Sequence, residues 1–151
     1  MTLGLLEAAV TALSSYLQTN IAAKLDVLDA EYADFILDDI KAWYKGNIPS
    51  ALPEFPSVCL QGLNWMREEN LNDKMYLRNN LNLIVFVGDD NDQTRFKKLC
   101  RYARALVELL RAGEASYGYA YRLEGPVSVS DTLATPAFLQ AVNIPISLYP
   151  L

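Results

Sequence analysis

A chain of 151 residues is enough for a single domain, one that buries about 70% of its unfolded surface. Its 52% hydrophobic content supplies a core without disulfide staples, and no apolar run in it approaches the roughly 18 residues that span a bilayer. It contains no histidine, which removes Ser-His-Asp and Cys-His nucleophiles, the imidazole base and every histidine-based zinc site.

Leu6, Val10, Leu13, Leu17, Ile21, Leu25 and Leu28 step by three and four, which predicts a helix from about Leu3 to about Leu28. Helical spacing continues to the first residues without a basic leader, so a soluble, cytosolically made protein is expected. From Glu31 to Lys45 the pattern is ambiguous. Tyr32, Ile36, Ile40 and Trp43 suit a helix, whereas the aromatic and β-branched content suits an extended arm or hairpin. Gly46 to Pro56 packs three prolines and a glycine into a short span and reads as a loop. Because that loop follows an acidic, aromatic stretch, residues 31–55 are expected to form an arm lying across the surface or reaching a neighbour.

Beyond Pro56, Ser57–Asn64 reads as a short strand, followed by a polar connection, Arg67–Lys74. Tyr76–Val87 is a long strand whose far end, Ile84–Val87, is apolar on both faces and should be central. It runs through the acidic turn Gly88–Asp92 into an amphipathic helix, Gln93–Arg111, with Phe96, Leu99, Cys100, Ala103, Val107 and Leu110 on its expected buried stripe. Ala112-Gly113 stops that helix. Tyr117, Tyr119 and Tyr121 alternate with small and polar residues as a strand with one aromatic side. Gly125-Pro126 bends it before Val127 and Val129 resume. In the last strand Val142, Ile144, Ile146 and Leu148 alternate. Pro145 lacks a ladder donor, so this strand is expected at an edge or kinked. The order describes an α+β domain, residues 1–151, with a four-stranded, largely antiparallel sheet, two helices on one face and a proline-rich extended arm.

The net charge of −5 is unevenly placed. Asp26, Asp29, Glu31, Asp34, Asp38 and Asp39 stand without a base among them, while residues 93–111 hold six bases against the single acid Glu108. Lys97, Arg101, Arg104 and Arg111 share a helical stripe. Opposite fields on one subunit suit head-to-tail contact between identical copies. Asp34, Asp38, Asp39, Trp43, Tyr44, Lys97, Arg101 and Arg104 are therefore the candidate oligomer-interface residues.

Little else in the chain carries chemistry. The glycines have neither phosphate-loop nor dinucleotide spacing. Asp89, Asp90 and Asp92 could offer oxygen ligands to calcium or magnesium, but acids before a helix more simply cap it, and Asp90 with Gln93 has capping-box spacing. Cys59 and Cys100 read as free packing thiols. Catalytic, cofactor and metal residues are thus expected to be absent. A nucleic-acid module using the basic helix 93–111, with stacking tyrosines, is the alternative binding role. The acidic segment and a pI of 4.7 argue against it.

The Phe55-Pro56-Ser57-Val58 entry to the first strand, the run Leu83-Ile84-Val85-Phe86-Val87 before an acidic turn, and the helix centre Arg101-Tyr102-Ala103-Arg104-Ala105-Leu106 together resemble the tail-terminator, or tail-completion, proteins of tailed bacteriophages. The likeness covers most of the chain. It implies a virion subunit, made in the host cytoplasm, that forms a ring, usually hexameric, at the head–tail junction. Such a ring caps the tail tube and joins it to the neck connector or stopper protein, and genomic DNA passes through without sequence-specific contact. The resemblance implies no membrane, no cofactor and no catalytic residues. Another neck protein, a stopper or head-completion subunit, is the neighbouring possibility.

Overall fold

The computed structural model describes residues 2–50, 54–69, 75–130 and 139–151. Helix α1 (Thr2–Glu31) is 30 residues long, about 45 Å at 1.5 Å per residue, and all seven stripe residues from Leu6 to Leu28 are buried. Residues 32–41 leave the helix as an extended strap. Leu37 anchors the strap in the core, and its N–H donates to Asp29 Oδ1 at 2.8 Å. Strand β1 (Ala42–Lys45) follows, and Gly46 turns the chain away at φ +95°, a left-handed conformation that favours glycine.

Strands β2 (Ser57–Glu69) and β3 (Met75–Gly88) form a long antiparallel hairpin, and helix α2 (Asp92–Ala112) leads back across the sheet. The single turn α3 (Glu114–Tyr117) precedes β4 (Tyr119–Leu123), β5 (Ser128–Val129) and β6 (Leu139–Pro150). The sheet has six strands in the order β1-β2-β3-β6-β4, with β5 beside β4 on the same flank of β6. Only β1 and β2 run parallel. The expected four-stranded sheet thus gains a strand at each edge. One is β1, recruited from the segment read as an arm; the other arises because Gly125-Pro126 splits one predicted strand into β4 and β5.

Both helices cover one face of the sheet. Val58, Leu60, Leu81, Leu83, Val85, Val87, Val142, Ile144, Ile146 and Leu148 meet them there. The other face buries a smaller cluster, Cys59, Ile84, Phe86 and Leu139, with Tyr44 and Phe55 packed against it.

Of the two courses left open for the arm, residues 32–45 take the one across their own domain, as strap and edge strand; Ala51, Leu52 and Pro53 of the expected loop lie outside the described residues. Two expectations are corrected. Strand β6 is not an edge, since it pairs with β3 on one side and with β4 and β5 on the other. Pro145 is tolerated because its carbonyl, which accepts from Glu124 N–H at 3.0 Å, faces the β4–β5 side. In an antiparallel strand the N–H and C=O of one residue point the same way, so the missing donor falls in the gap between β4 and β5. Tyr117 belongs to α3, not to a strand. Gly118 closes that turn at φ +85°, and the Tyr117 hydroxyl donates to Leu110 O at 2.8 Å.

The buried face of α2 is also rotated from the predicted stripe. Leu99, Tyr102, Leu106, Leu109 and Leu110 are buried, whereas Phe96 is 54% exposed and Cys100 is exposed. The helix packs on α1 as well as on the sheet, so its apolar arc turns toward Tyr102 and Leu106, away from Phe96. Its end is fixed by Gly113, whose N–H donates to Leu109 O and where a Cβ would stand 2.0 Å from the Tyr16 ring.

Two contrasts check this packing. Leu99→Ala should cost about 2–5 kcal/mol in denaturant unfolding, while Phe96→Ala should stay within about 1 kcal/mol. Gly113→Ala should lower the midpoint measurably, because the Tyr16 ring must leave its place against Tyr117.

Candidate assembly surfaces

The acidic and basic segments that the sequence sets apart meet inside one chain. Arg101 grips Asp34 with both guanidinium ends, at 2.8 and 2.9 Å. Its guanidinium carbon lies 4.1 Å from the Tyr32 ring centroid and 4.3 Å from that of Phe35. A cation held between two aromatic faces, with a carboxylate at its edge, is shielded from water on three sides. Around this centre Lys97 reaches Asp34 at 3.4 Å and Arg104 reaches Glu31 at 3.0 Å. Arg104 also donates to the Tyr32 hydroxyl and to Glu108. Lys98 lies 4.0 Å from Asp38 and 2.9 Å from Asp89. The Tyr102 hydroxyl donates to Asp38 O at 2.6 Å, and burial pushes its ionisation well above the usual phenol range.

Of the expected interface residues, Asp34, Asp38, Lys97, Arg101 and Arg104 are therefore gathered into one intrachain network that holds the strap on α2. Asp39 is exposed beside it. Trp43 and Tyr44 stand apart on β1, Trp43 half-buried against the main core and Tyr44 against the second cluster. Of the basic stripe, Lys97, Arg101 and Arg104 are thus paired within the chain, and Arg111 is exposed at its end.

The acidic turn before α2 does structural work. The cap is Asn91, not Asp90: its side chain accepts from Thr94 N–H at 2.9 Å. Asp89 accepts from Asn91 N–H and from Lys98, which holds its carboxyl below the usual range, and Asp92 pairs with Arg95. Arg95, which sequence reasoning passed over, is 3% exposed and donates to Gln140 Oε1, Asp89 O and Asp92 Oδ1. It ties the turn to β6. Among the described residues no group of three acids, cysteines or histidines is placed to hold a metal, and no helix is long and apolar enough to cross a membrane. Burial pushes the pKa of both thiols, Cys59 and Cys100, upward and so disfavours the thiolate.

Two further surfaces stand out. The open face of the sheet carries an amide ladder: Asn80 donates to Asn64 Oδ1 at 2.6 Å, Asn82 to Gln61 Oε1 at 3.2 Å, and Arg78 to Asn80 Oδ1 at 2.8 Å. Its arginines, Arg78 and Arg122, lie 2.7 and 4.0 Å from Glu124, which also accepts from the Ser147 hydroxyl. On the helix-bearing face, an apolar groove of about 480 Å³ runs between α2 and β5.

No family model matches this chain, and no curated protein matches it. Eighteen chains of solved structures do match. One of them, from the virion of a native gene transfer agent particle, is 13% identical, with a TM-score of 0.45, over 89% of this chain and 93% of that chain.

The charge network has a pH signature. Hydrogen bonds from Arg101, and secondarily from Lys97, hold the Asp34 carboxyl well below its usual range against an opposing burial effect. A depressed carboxylate stabilises the fold above its unfolded value, about 3.9, and that contribution is lost as pH falls below it. Asp34→Asn should therefore melt at lower temperature than the parent near neutral pH, and the two melting curves should converge in acid. Thermal melts from about pH 7 to about pH 2.5 read this directly; a difference that does not change with pH would show that the charge of Asp34 contributes nothing.

Proposed function

We propose that this chain is a structural subunit of a tailed-phage virion, a tail terminator whose copies form a ring that caps the tail tube at the head–tail junction. The resemblance of its strand entry, turn and helix centre to tail-terminator proteins motivates the reading. The observation that carries it is the one-sided sheet. Both helices pack on one face, and the other offers Gln61, Asn64, Asn80 and Asn82, an amide surface on which Arg78 and Arg122 share the carboxylate of Glu124. Duplex DNA is retained by unpaired lysine and arginine. An amide surface whose arginines are held by a carboxylate retains it weakly, which is what the lining of a conduit needs.

The nucleic-acid-module reading is weakened by the same electrostatics. Phosphates approaching α2 would have to displace Asp34 from Arg101 and Lys97, and Glu31 and Glu108 from Arg104.

Native mass spectrometry of the purified protein should give a discrete ring, six-fold on the hexamer reading, and adding the protein to polymerising tail tubes should set their length. A protein that stays monomeric at all concentrations, or retains DNA in a salt-dependent way, would overturn the proposal. A ring that leaves tube length unchanged would point instead to a stopper or head-completion subunit.

A further inference from the structure

We propose that copies of this chain join edge to edge, β1 of one copy adding antiparallel to β5 of the next, so that the sheet runs on across the subunit boundary. The inference rests on the ring reading above and names its joint.

The strand registers place β1 and β5 at opposite ends of the same two cross-strand rows. Trp43, Val58, Val85, Val142 and Val129 form one row; Tyr44, Cys59, Ile84, Asn143 and Ser128 form the next. Among the described residues neither β1 nor β5 has a second strand beside it. Three antiparallel steps separate β2 from β5, and β1 is parallel to β2, so β5 runs opposite to β1. Copies in the same orientation around a ring would thus pair these edges antiparallel, the commoner pairing. The contact uses different patches on the two partners, as ring closure requires. The alternative edge, β4, is plugged: the Tyr121 N–H is already taken by Glu114 Oε2 at 2.8 Å.

The side chains at the two edges match. Val127 and Val129 are 41% and 37% exposed and, with Phe96, Cys100 and Val107, line the groove between α2 and β5. On the same face at the other edge, a groove of about 390 Å³ runs between the first turns of α1 and the end of β1, lined by Leu6, Val10 and Lys45. Adding β1 of the next copy to β5 lays its α1 alongside α2 and closes the valine-lined groove. The charges agree as well. Arg111 at the end of α2 and Glu7 at the start of α1 are exposed, and among the described residues neither has an ion pair. Both lie toward the hairpin end of the sheet, so the joint brings opposite charges together at its rim.

The test is a crosslink. In a Cys100→Ser background, Ser128→Cys combined with Tyr44→Cys puts thiols on opposing strands, where Cα atoms about 4.5–5.5 Å apart fall inside disulfide range. Oxidation should yield a ladder of covalent multimers, and either cysteine alone should yield none. A native oligomer without the ladder would overturn the edge joint and leave the ring reading standing. Failure of the parent protein to oligomerise would overturn both. Dimers from a single-cysteine variant would show a two-fold joint and overturn the proposal.

A charge exchange gives a second readout that does not disturb the strands. Glu7→Arg or Arg111→Glu should each weaken association by roughly two- to fivefold at low salt, and the two together should restore it. Absence of restoration would place Glu7 and Arg111 outside the joint.

Discussion

The placement of Arg101 governs how this chain closes on itself. A guanidinium on the outer side of a sheet-packed helix would ordinarily face water. Here Tyr32 and Phe35 stack on its two faces and Asp34 takes both of its ends. The four groups satisfy one another, since the planar fork suits a carboxylate and the flat faces suit aromatic rings. That grip brings the chain leaving α1 back across α2, seats Leu37 in the core and delivers Ala42–Lys45 to the edge of β2. Leu37 N–H on Asp29, the Tyr102 hydroxyl on Asp38 O and Lys41 N–H on Pro56 O hold the same course farther along.

Neutralising the charges within the chain changes what remains for assembly. Surface ion pairs are individually weak, about 0–1 kcal/mol, and the strap uses most of the basic stripe for internal pairing. Besides exposed charges such as Glu7, Asp39 and Arg111, the outside keeps two short sheet edges, two grooves on the helix-bearing face and the amide ladder on the other. Such surfaces join through backbone hydrogen bonds and side-chain packing, which salt screens little.

The one-sided architecture follows from helix supply. Two helices cover the middle of a sheet five strands wide: α1 packs chiefly over β2, and α2 over β3 and β6. Among the described residues no helix lies over β5, and Val127 and Val129 are exposed on the side where Val142 is buried. On the opposite face the second cluster is small, asparagine and glutamine side chains bond one another beside the Arg78–Glu124 pair, and Asn143 Oδ1 is buried without a partner among the described residues.

Periodicity along the sequence determined the elements themselves. The α1 stripe from Leu6 to Leu28, the hairpin strand ending in Val87, the acidic turn and the α2 helix are local patterns, and local patterns survive folding. The α+β class and the shared helix face follow from them. What only the tertiary structure decided are matters of partnership. Whether Arg101 faces a neighbour or Asp34 of its own chain depends on a contact 67 residues away in sequence. The rotation of α2 that exposes Phe96 depends on α1 as a second packing surface, which a single-helix stripe does not register. Residues 31–45 have mixed helical and extended patterning because Tyr32, Phe35 and Trp43 are spaced to fit α2 and β2, not a repeat of their own. Pro145 could sit inside a central strand only because the neighbouring chain breaks opposite its nitrogen. In each case the deciding group is distant in the chain and adjacent in space, and spacing along the chain does not encode it.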